Sequence, residues 1–275
     1  MQKGVSVLIS TMYQTNTDFL YRMFPHHDVN TLNLVIINQT SKDKSLETDL
    51  ENINVINSYE FGLSKSRNLA IKNCETSHAV LADDDLVYQN DFLEKINKAY
   101  QSYPDATLIS FKLLKSENQA YKKYPDENRQ LKLRGNAFML SSAEISINIE
   151  KVKAEKLQFC EYFGLGATFT SCEETLFMRS LLKRRLEAYF VDESIAIHES
   201  EGTGSNALGN DFIYAFSACQ FFMYGNGSFL WLIYYLYQMK SVENTSGHRL
   251  KTAFKHGLQG IYKANQLREA IVKQL

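Results

Sequence analysis

The sequence predicts an α/β fold: a mixed, mostly parallel sheet flanked by helices, followed by a C-terminal helical extension. Three observations predict it. Short apolar runs alternate with helical segments, the pattern of βαβ units. The runs are continuous, as in strands buried on both faces. Several of them end in polar or acidic residues, and ligands of open α/β sheets bind beyond the carboxyl ends of strands.

Residues 5–9 form the first strand, and a helix over 17–24 stops near Pro25. Residues 32–37 are a second buried strand that ends in the polar cluster 38–41, and 53–56 are a third, weaker one. Gly62 then turns the chain into a helix over 62–71, with Leu69 and Ile71 near its buried side and Ser64 as a candidate cap. The fourth strand, 79–82, carries Asp83, Asp84 and Asp85 at its end. A helix over 91–102 closes this series before Pro104.

Strand-like segments at 107–114 and 135–140 enclose the polar stretch 115–130. Gly164 and Gly166 precede an apolar helix over 171–182, opened by Glu173 and Glu174. Two further strands follow at 186–191 and 194–197, and the second delivers His198. The glycine-containing segment 199–205 reads as a mobile loop able to cover a ligand. We expect one α/β domain over residues 1–205 and an aromatic, basic, helical extension over 206–275.

Composition narrows the function. In 275 residues, apolar content is 44%, charged content 22% and formal net charge -1, which describes a globular chain with no basic field for nucleic acid. Cys74, Cys160, Cys172 and Cys219 are scattered, without zinc-ligand spacing or a disulfide framework, so a reduced, cytoplasmic setting fits. The start reads as a strand and not as a signal peptide. The stretch 228–239 is aromatic and apolar but shorter than the ~20 residues a spanning helix needs. It suits a buried helix or the membrane interface. From Asp211 onward only Asp211, Glu243 and Glu269 are acidic, against Lys240, Arg249, Lys251, Lys255, Lys263, Arg268 and Lys273. Peripheral contact with the inner face of the plasma membrane is one reading of this tail; a core helix followed by a solvated tail is the other.

Three adjacent carboxylates at a strand end repel one another. A divalent cation would relieve that repulsion, because hard metals prefer carboxylate oxygen. A solvated turn with one aspartate capping the next helix is the plain alternative. Ser10-Thr11, Asn38-Gln39 and Asp83–Asp85 all fall at strand ends, and together they outline a nucleotide-shaped site. No phosphate loop or Gly-x-Gly-x-x-Gly fingerprint is present. A diphosphate would then be neutralised by a metal and by Arg67 or another base. Glu173 and Glu174 favour the helix dipole by ~0.3–1 kcal/mol each, or one of them removes a proton from a hydroxyl. His198 is a surface residue or a ligand that Mn²⁺ accepts more readily than Mg²⁺.

In this order, segments 5–11 and 62–71, the Ala82-Asp-Asp-Asp85 run, Gly164-x-Gly166 with Glu173-Glu174, and Ile197-His198 resemble the family 2 glycosyltransferases. Those are inverting enzymes of the GT-A fold, and the resemblance covers roughly residues 4–205. It is nearest to bacterial enzymes that build capsule, O-antigen or other surface polysaccharides. The resemblance implies a nucleoside-diphosphate-sugar donor, UDP-linked first, and a glycan or lipid-linked glycan acceptor. It also implies Mn²⁺ or Mg²⁺. Thr11, with Asn38 or Gln39, would lie along the nucleoside, with Arg67 nearby. Asp83 would face the ribose or base, Asp84 would belong to the same donor site, Asp85 would ligate the metal, and His198 would be a metal ligand or a diphosphate contact. Glu174 would be the base, with Glu173 its competitor. The family often carries Asp where this chain has Asn38 or Gln39, and Asp at the position of Glu174. A nucleotidyltransferase of related fold and a non-catalytic nucleotide- or cation-binding protein are the alternative readings. A homo-oligomer is compatible with the sequence.

Overall fold

The structure, a computed structural model, describes residues 2–133, 140–198, 209–243 and 247–275. The expected strand at 135–140, apart from Leu140, and the expected loop at 199–205 lie outside the described residues.

The chain runs β1 (Gln2–Met12), α1 (Asp18–Met23), β2 (Asn33–Gln39), β3 (Ile53–Ser58), α2 (Leu63–Asn73) and β4 (Thr76–Asp83). It continues through β5 (Val87–Tyr88), α3 (Phe92–Ser102), β6 (Ala106–Ser116), β7 (Gln119–Ala120), β8 (Arg129–Gln130), β9 (Ile145–Asn148) and α4 (Ile149–Ala154). Next come α5 (Glu173–Lys183) and β10 (Glu187–Ile197), then α6 (Asn210–Tyr224), α7 (Ser228–Glu243), α8 (Gly247–Gln266) and α9 (Arg268–Val272). The expected α/β class is what forms.

The sheet order is β3-β2-β1-β4-β9-β6-β10-β5, with β7 on β6 and β8 on β10. β3, β2, β1 and β4 are parallel, β6 and β10 are parallel, and β9 joins the two groups antiparallel to both neighbours. The apolar runs therefore occupy central strands, and Val7, Ile9, Ile36, Val80, Ile109 and Phe111 are buried. Helices cover the sheet. Phe19 of α1, Phe24 just after it, and Phe92 and Ile96 of α3 enter one core, where Phe24 stacks on Tyr88 with centroids 5.2 Å apart.

Two expectations are corrected. The two strands expected at 186–191 and 194–197 are one, β10. The polar Asp192-Glu193 pair suggested a break. Instead the ladder to β6 shifts register between Phe190 and Ser194, and such irregularities let a strand carry residues that do not fit the alternation. Asp192 there pairs with Lys112. Ser64 is not the cap of α2: it lies within the helix, and its hydroxyl donates to the Phe163 carbonyl at 2.6 Å. Local spacing could not show that distant partner.

The chain forms two compact units. One comprises 1–61, 65–158 and 177–200, and contains the sheet. The other comprises 62–64, 159–176 and 201–275. In the second, Phe163, Phe169, Leu176, Ala215, Cys219 and Ala264 share a core, and Phe163 stacks on Phe169 at 4.6 Å.

Candidate active site

Register explains how the strand ends of the first unit build a polar cluster. Thr11 stands opposite Asn38, Asn38 opposite Asn57, and Ser10 opposite Asp83. Residues separated in sequence thus form a row at the carboxyl edge of four parallel strands.

The three aspartates divide. Asp83 is the last residue of β4, whereas Asp84 and Asp85 are in the turn that follows. Each of the three has its own partners. Asp84 accepts from the Thr11 hydroxyl and, at 3.1 Å, from Gln14 Nε2. Asp83 lies 3.5 Å from the Arg67 guanidinium, and Asp85 lies 3.1 Å from His198 Nε2. Asp83 and Asp85 do act on one place, since the charges of both hold the His198 imidazole above its usual range. The hydrogen bond to Asp85 is the largest cause, and burial opposes it.

Arg67 is 2% exposed, which is low for a guanidinium without compensation. Helix α2 carries it under the strand ends, where the neighbouring Ser66 donates to Ser10 at 2.7 Å. His198 is fixed at the end of β10, its backbone N–H donating to the Leu114 carbonyl at 2.8 Å. The Tyr121 ring sits 5.2 Å from the imidazole, centroid to centroid.

Asn38 is fully buried and turned inward. Its amide donates to the Gln14 carbonyl and to Asn57 Oδ1, each at 2.9 Å, while its oxygen accepts from the Gln14 backbone N–H at 3.0 Å. It therefore shapes the segment after β1. Gln39 is buried beside it, and its carbonyl accepts from the Tyr13 N–H at 3.0 Å. Gln14 and Tyr121 escaped the sequence reading. Gln14 had one local signal, a polar residue just beyond a buried strand; Tyr121 had none.

In the second unit, α5 begins at Glu173, as expected, so Glu173 and Glu174 occupy its first turn. Glu173 is buried and Glu174 half-buried. Cys172, just before them, has φ +78°, a left-handed conformation uncommon for a non-glycine residue. Gly164 has φ +104°, and a β-carbon there would lie 3.2 Å from the Glu173 carboxyl carbon. Gly166, at φ +78°, would meet the Gly62 backbone at 3.3 Å. The Leu63 N–H donates to the Leu165 carbonyl at 2.9 Å. The glycine pair thus lets the 163–166 turn close onto the start of α2 and onto Glu173.

Among the described residues no group of three or more His, Cys, Asp or Glu side chains is arranged to hold a metal. Asp85 and His198 alone supply a hard oxygen and an imidazole nitrogen, 3.1 Å apart. Two such ligands fit an ion that draws its remaining coordination from substrate phosphate and water.

The first unit thus holds a strand-end acid cluster and a buried arginine, and in the second a helix opens on two glutamates. The sequence model of glycosyl transferase family 2 matches residues 20–184, well over half of the chain, and the chain belongs to that family. It is a glycosyltransferase of GT-A fold. Among solved structures it is similar to S. aureus TarS. The 1–349 fragment of TarS in complex with UDP-GlcNAc superposes with a TM-score of 0.59 at 15% identity, covering 97% of this chain and 84% of that one. The same fragment with UDP gives 0.52 at 14% identity, covering 98% and 92%. Against TarS at greater length the TM-score is 0.54 at 13% identity, and this chain spans 55% of that one. No curated protein matches by sequence.

Proposed function

We propose that this protein is a metal-dependent, inverting glycosyltransferase. It moves a sugar from a nucleoside-diphosphate sugar, UDP-linked first, to a hydroxyl of a glycan or lipid-linked glycan in surface-polysaccharide synthesis of the capsule or O-antigen type. The domain arrangement is a catalytic domain over 1–205 and an extension over 206–275 that makes peripheral contact with the inner face of the membrane. The observation that carries the reading is the division of the Asp83–Asp85 cluster, with Asp85 set against His198. Support for the donor comes from TarS, whose structures hold UDP-GlcNAc and UDP.

In this reading Asp83 contacts the ribose or base, and Arg67 fixes the Asp83 carboxylate and adds positive charge near the nucleotide. Thr11 and Gln14 orient Asp84, while Asn38 and Gln39 shape the wall beside the nucleoside. Asp85 and His198 would hold Mn²⁺ or Mg²⁺, which when bound supplies Lewis-acid neutralisation of the departing diphosphate. Glu174 takes the proton of the acceptor hydroxyl. The acceptor oxygen forms its bond to the anomeric carbon as the bond to the diphosphate oxygen breaks on the opposite face, which inverts that centre. The electron pair leaves with the nucleoside diphosphate. Glu173, buried beside Gly164, supports the first turn of α5 and is the competing base.

Incubation with a panel of nucleotide sugars and Mn²⁺, followed by mass spectrometry of the released nucleotide, tests this. Release of UDP that Asp85→Ala abolishes is expected. Turnover of no nucleotide sugar, or undiminished turnover by Asp85→Ala, would overturn it.

A further inference from the structure

Helix α7 differs from its neighbours in how it treats water. Its inner side is ordinary: Ser228, Leu232 and Leu236 are buried, and the two leucines pack with Ile213 of α6 and Ala253 of α8. Its outer side is also apolar. Leu230, Ile233, Tyr234 and Tyr237 stand at i, i+3, i+4 and i+7, so they share one face. They are 70%, 46%, 60% and 70% exposed. Phe229, also exposed, borders this face. A helix on a water-facing surface normally turns polar residues outward, and one apolar all round is normally enclosed. Helix α8 obeys the first rule, with Arg249, Lys251 and Lys255 outward. Helix α7 obeys neither.

The surrounding charge selects the occupant. From Ser228 to Gln266 the sequence holds Lys240, Arg249, Lys251, Lys255 and Lys263 but only one carboxylate, Glu243. No helix among the described residues is long and apolar enough to cross a membrane. An aromatic-rich, uncovered face within a cationic hairpin has the composition of an interfacial anchor: rings and aliphatics enter the headgroup boundary while ammonium and guanidinium groups meet anionic lipid. A second copy of this chain would bring the same excess of positive charge against itself.

We infer that the Leu230/Ile233/Tyr234/Tyr237 face of α7 is a membrane-docking surface for an anionic bilayer, lying in the interface plane. The inference gives the proposed peripheral contact its residues and lipid chemistry, and it rests on that reading.

Cosedimentation of the full chain with vesicles tests it, comparing phosphatidylcholine alone with phosphatidylcholine containing phosphatidylglycerol. Binding should favour the anionic vesicles and weaken with salt. Leu230→Ser/Tyr234→Ser, two exposed positions whose change leaves the fold intact, should weaken binding by about tenfold or more. Lys251→Gln/Lys255→Gln should weaken it roughly fivefold per charge on anionic vesicles only. No vesicle binding, or equal binding by wild type and the Leu230/Tyr234 variant, overturns the inference. So does a dimer in light scattering that this variant dissolves while vesicles are ignored, which would assign the face to a second copy. UDP release from a UDP-sugar, measured without vesicles, separates the two readings. Vesicle binding without sugar-nucleotide turnover is a failure of the catalytic reading alone, and turnover without vesicle binding a failure of this one.

Discussion

Replacing Gly164 by alanine probes how the acidic start of α5 is held. At φ +104° the backbone lies where L-residues rarely go, which costs ~1–3 kcal/mol. The new methyl would also lie 3.1 Å from Ser64 Oγ and 3.2 Å from the Glu173 carboxyl carbon, a few tenths of an ångström inside ordinary contact. Neither neighbour yields easily. The Ser64 hydroxyl is bound to the Phe163 carbonyl at 2.6 Å, and Glu173 is 4% exposed. Crowding a packed site adds ~1–3 kcal/mol, so a loss of about 3 kcal/mol is expected. With an m-value of ~1–3 kcal/mol/M, the urea midpoint should fall by roughly 1–3 M. A double-mutant cycle with Ser64→Ala sharpens the test. Removing the hydroxyl relieves part of the crowding, so the double variant should lose less than the sum of the singles. An unchanged midpoint for Gly164→Ala, or strict additivity with Ser64→Ala, would refute the close approach as the reason for glycine here. Transfer activity should fall too, and more steeply if Glu173 rather than Glu174 is the base.

Glu174→Gln should lower the transfer rate ~10²–10⁴-fold with nucleotide affinity unchanged; undiminished transfer would move the base elsewhere. Asp85→Asn should lower the His198 pKa, read by NMR titration of the imidazole, because the bond to Asp85 is the main cause of its elevation. With the folded value raised, the stabilisation linked to His198 is complete below the unfolded pKa and is lost as pH rises through the folded one. An imidazole titrating identically in the variant would dismiss the pair. Gly260→Ala should destabilise α6–α8 packing by ~1–3 kcal/mol or more, since its methyl would collide with the Tyr214 carbonyl, lying 2.9 Å from the carbonyl carbon. Gly257→Ala meets side-chain ends alone, the Leu232 methyls at 2.6 and 2.7 Å and Ser217 Oγ at 3.0 Å, and should cost less because side-chain ends can rotate. Calorimetry or denaturant unfolding that reverses this order would sink the argument.

The sequence by itself determined the α/β class, the buried strands, the polar strand ends and the helix that opens on Glu173. Continuous apolar runs and helix starts are local signals, written within a few residues. It also marked Asp83–Asp85 as the feature to explain, since adjacent like charges need a reason wherever they sit. Only the tertiary structure decided which partner each carboxylate meets. Asp84 meets Thr11, 73 residues away, and Asp85 meets His198, 113 residues away. Register across the sheet sets those pairings, and register is a relation between strands, invisible within any one of them. The same holds for Asn38, whose amide donates to the Gln14 carbonyl and to Asn57 Oδ1. Helix α7 is the clearest case. Its residues from Phe229 to Tyr237 are apolar on every side, and sequence cannot distinguish a covered face from a bare one. Packing of α6 and α8 against one side leaves the other, Leu230 to Tyr237, facing outward.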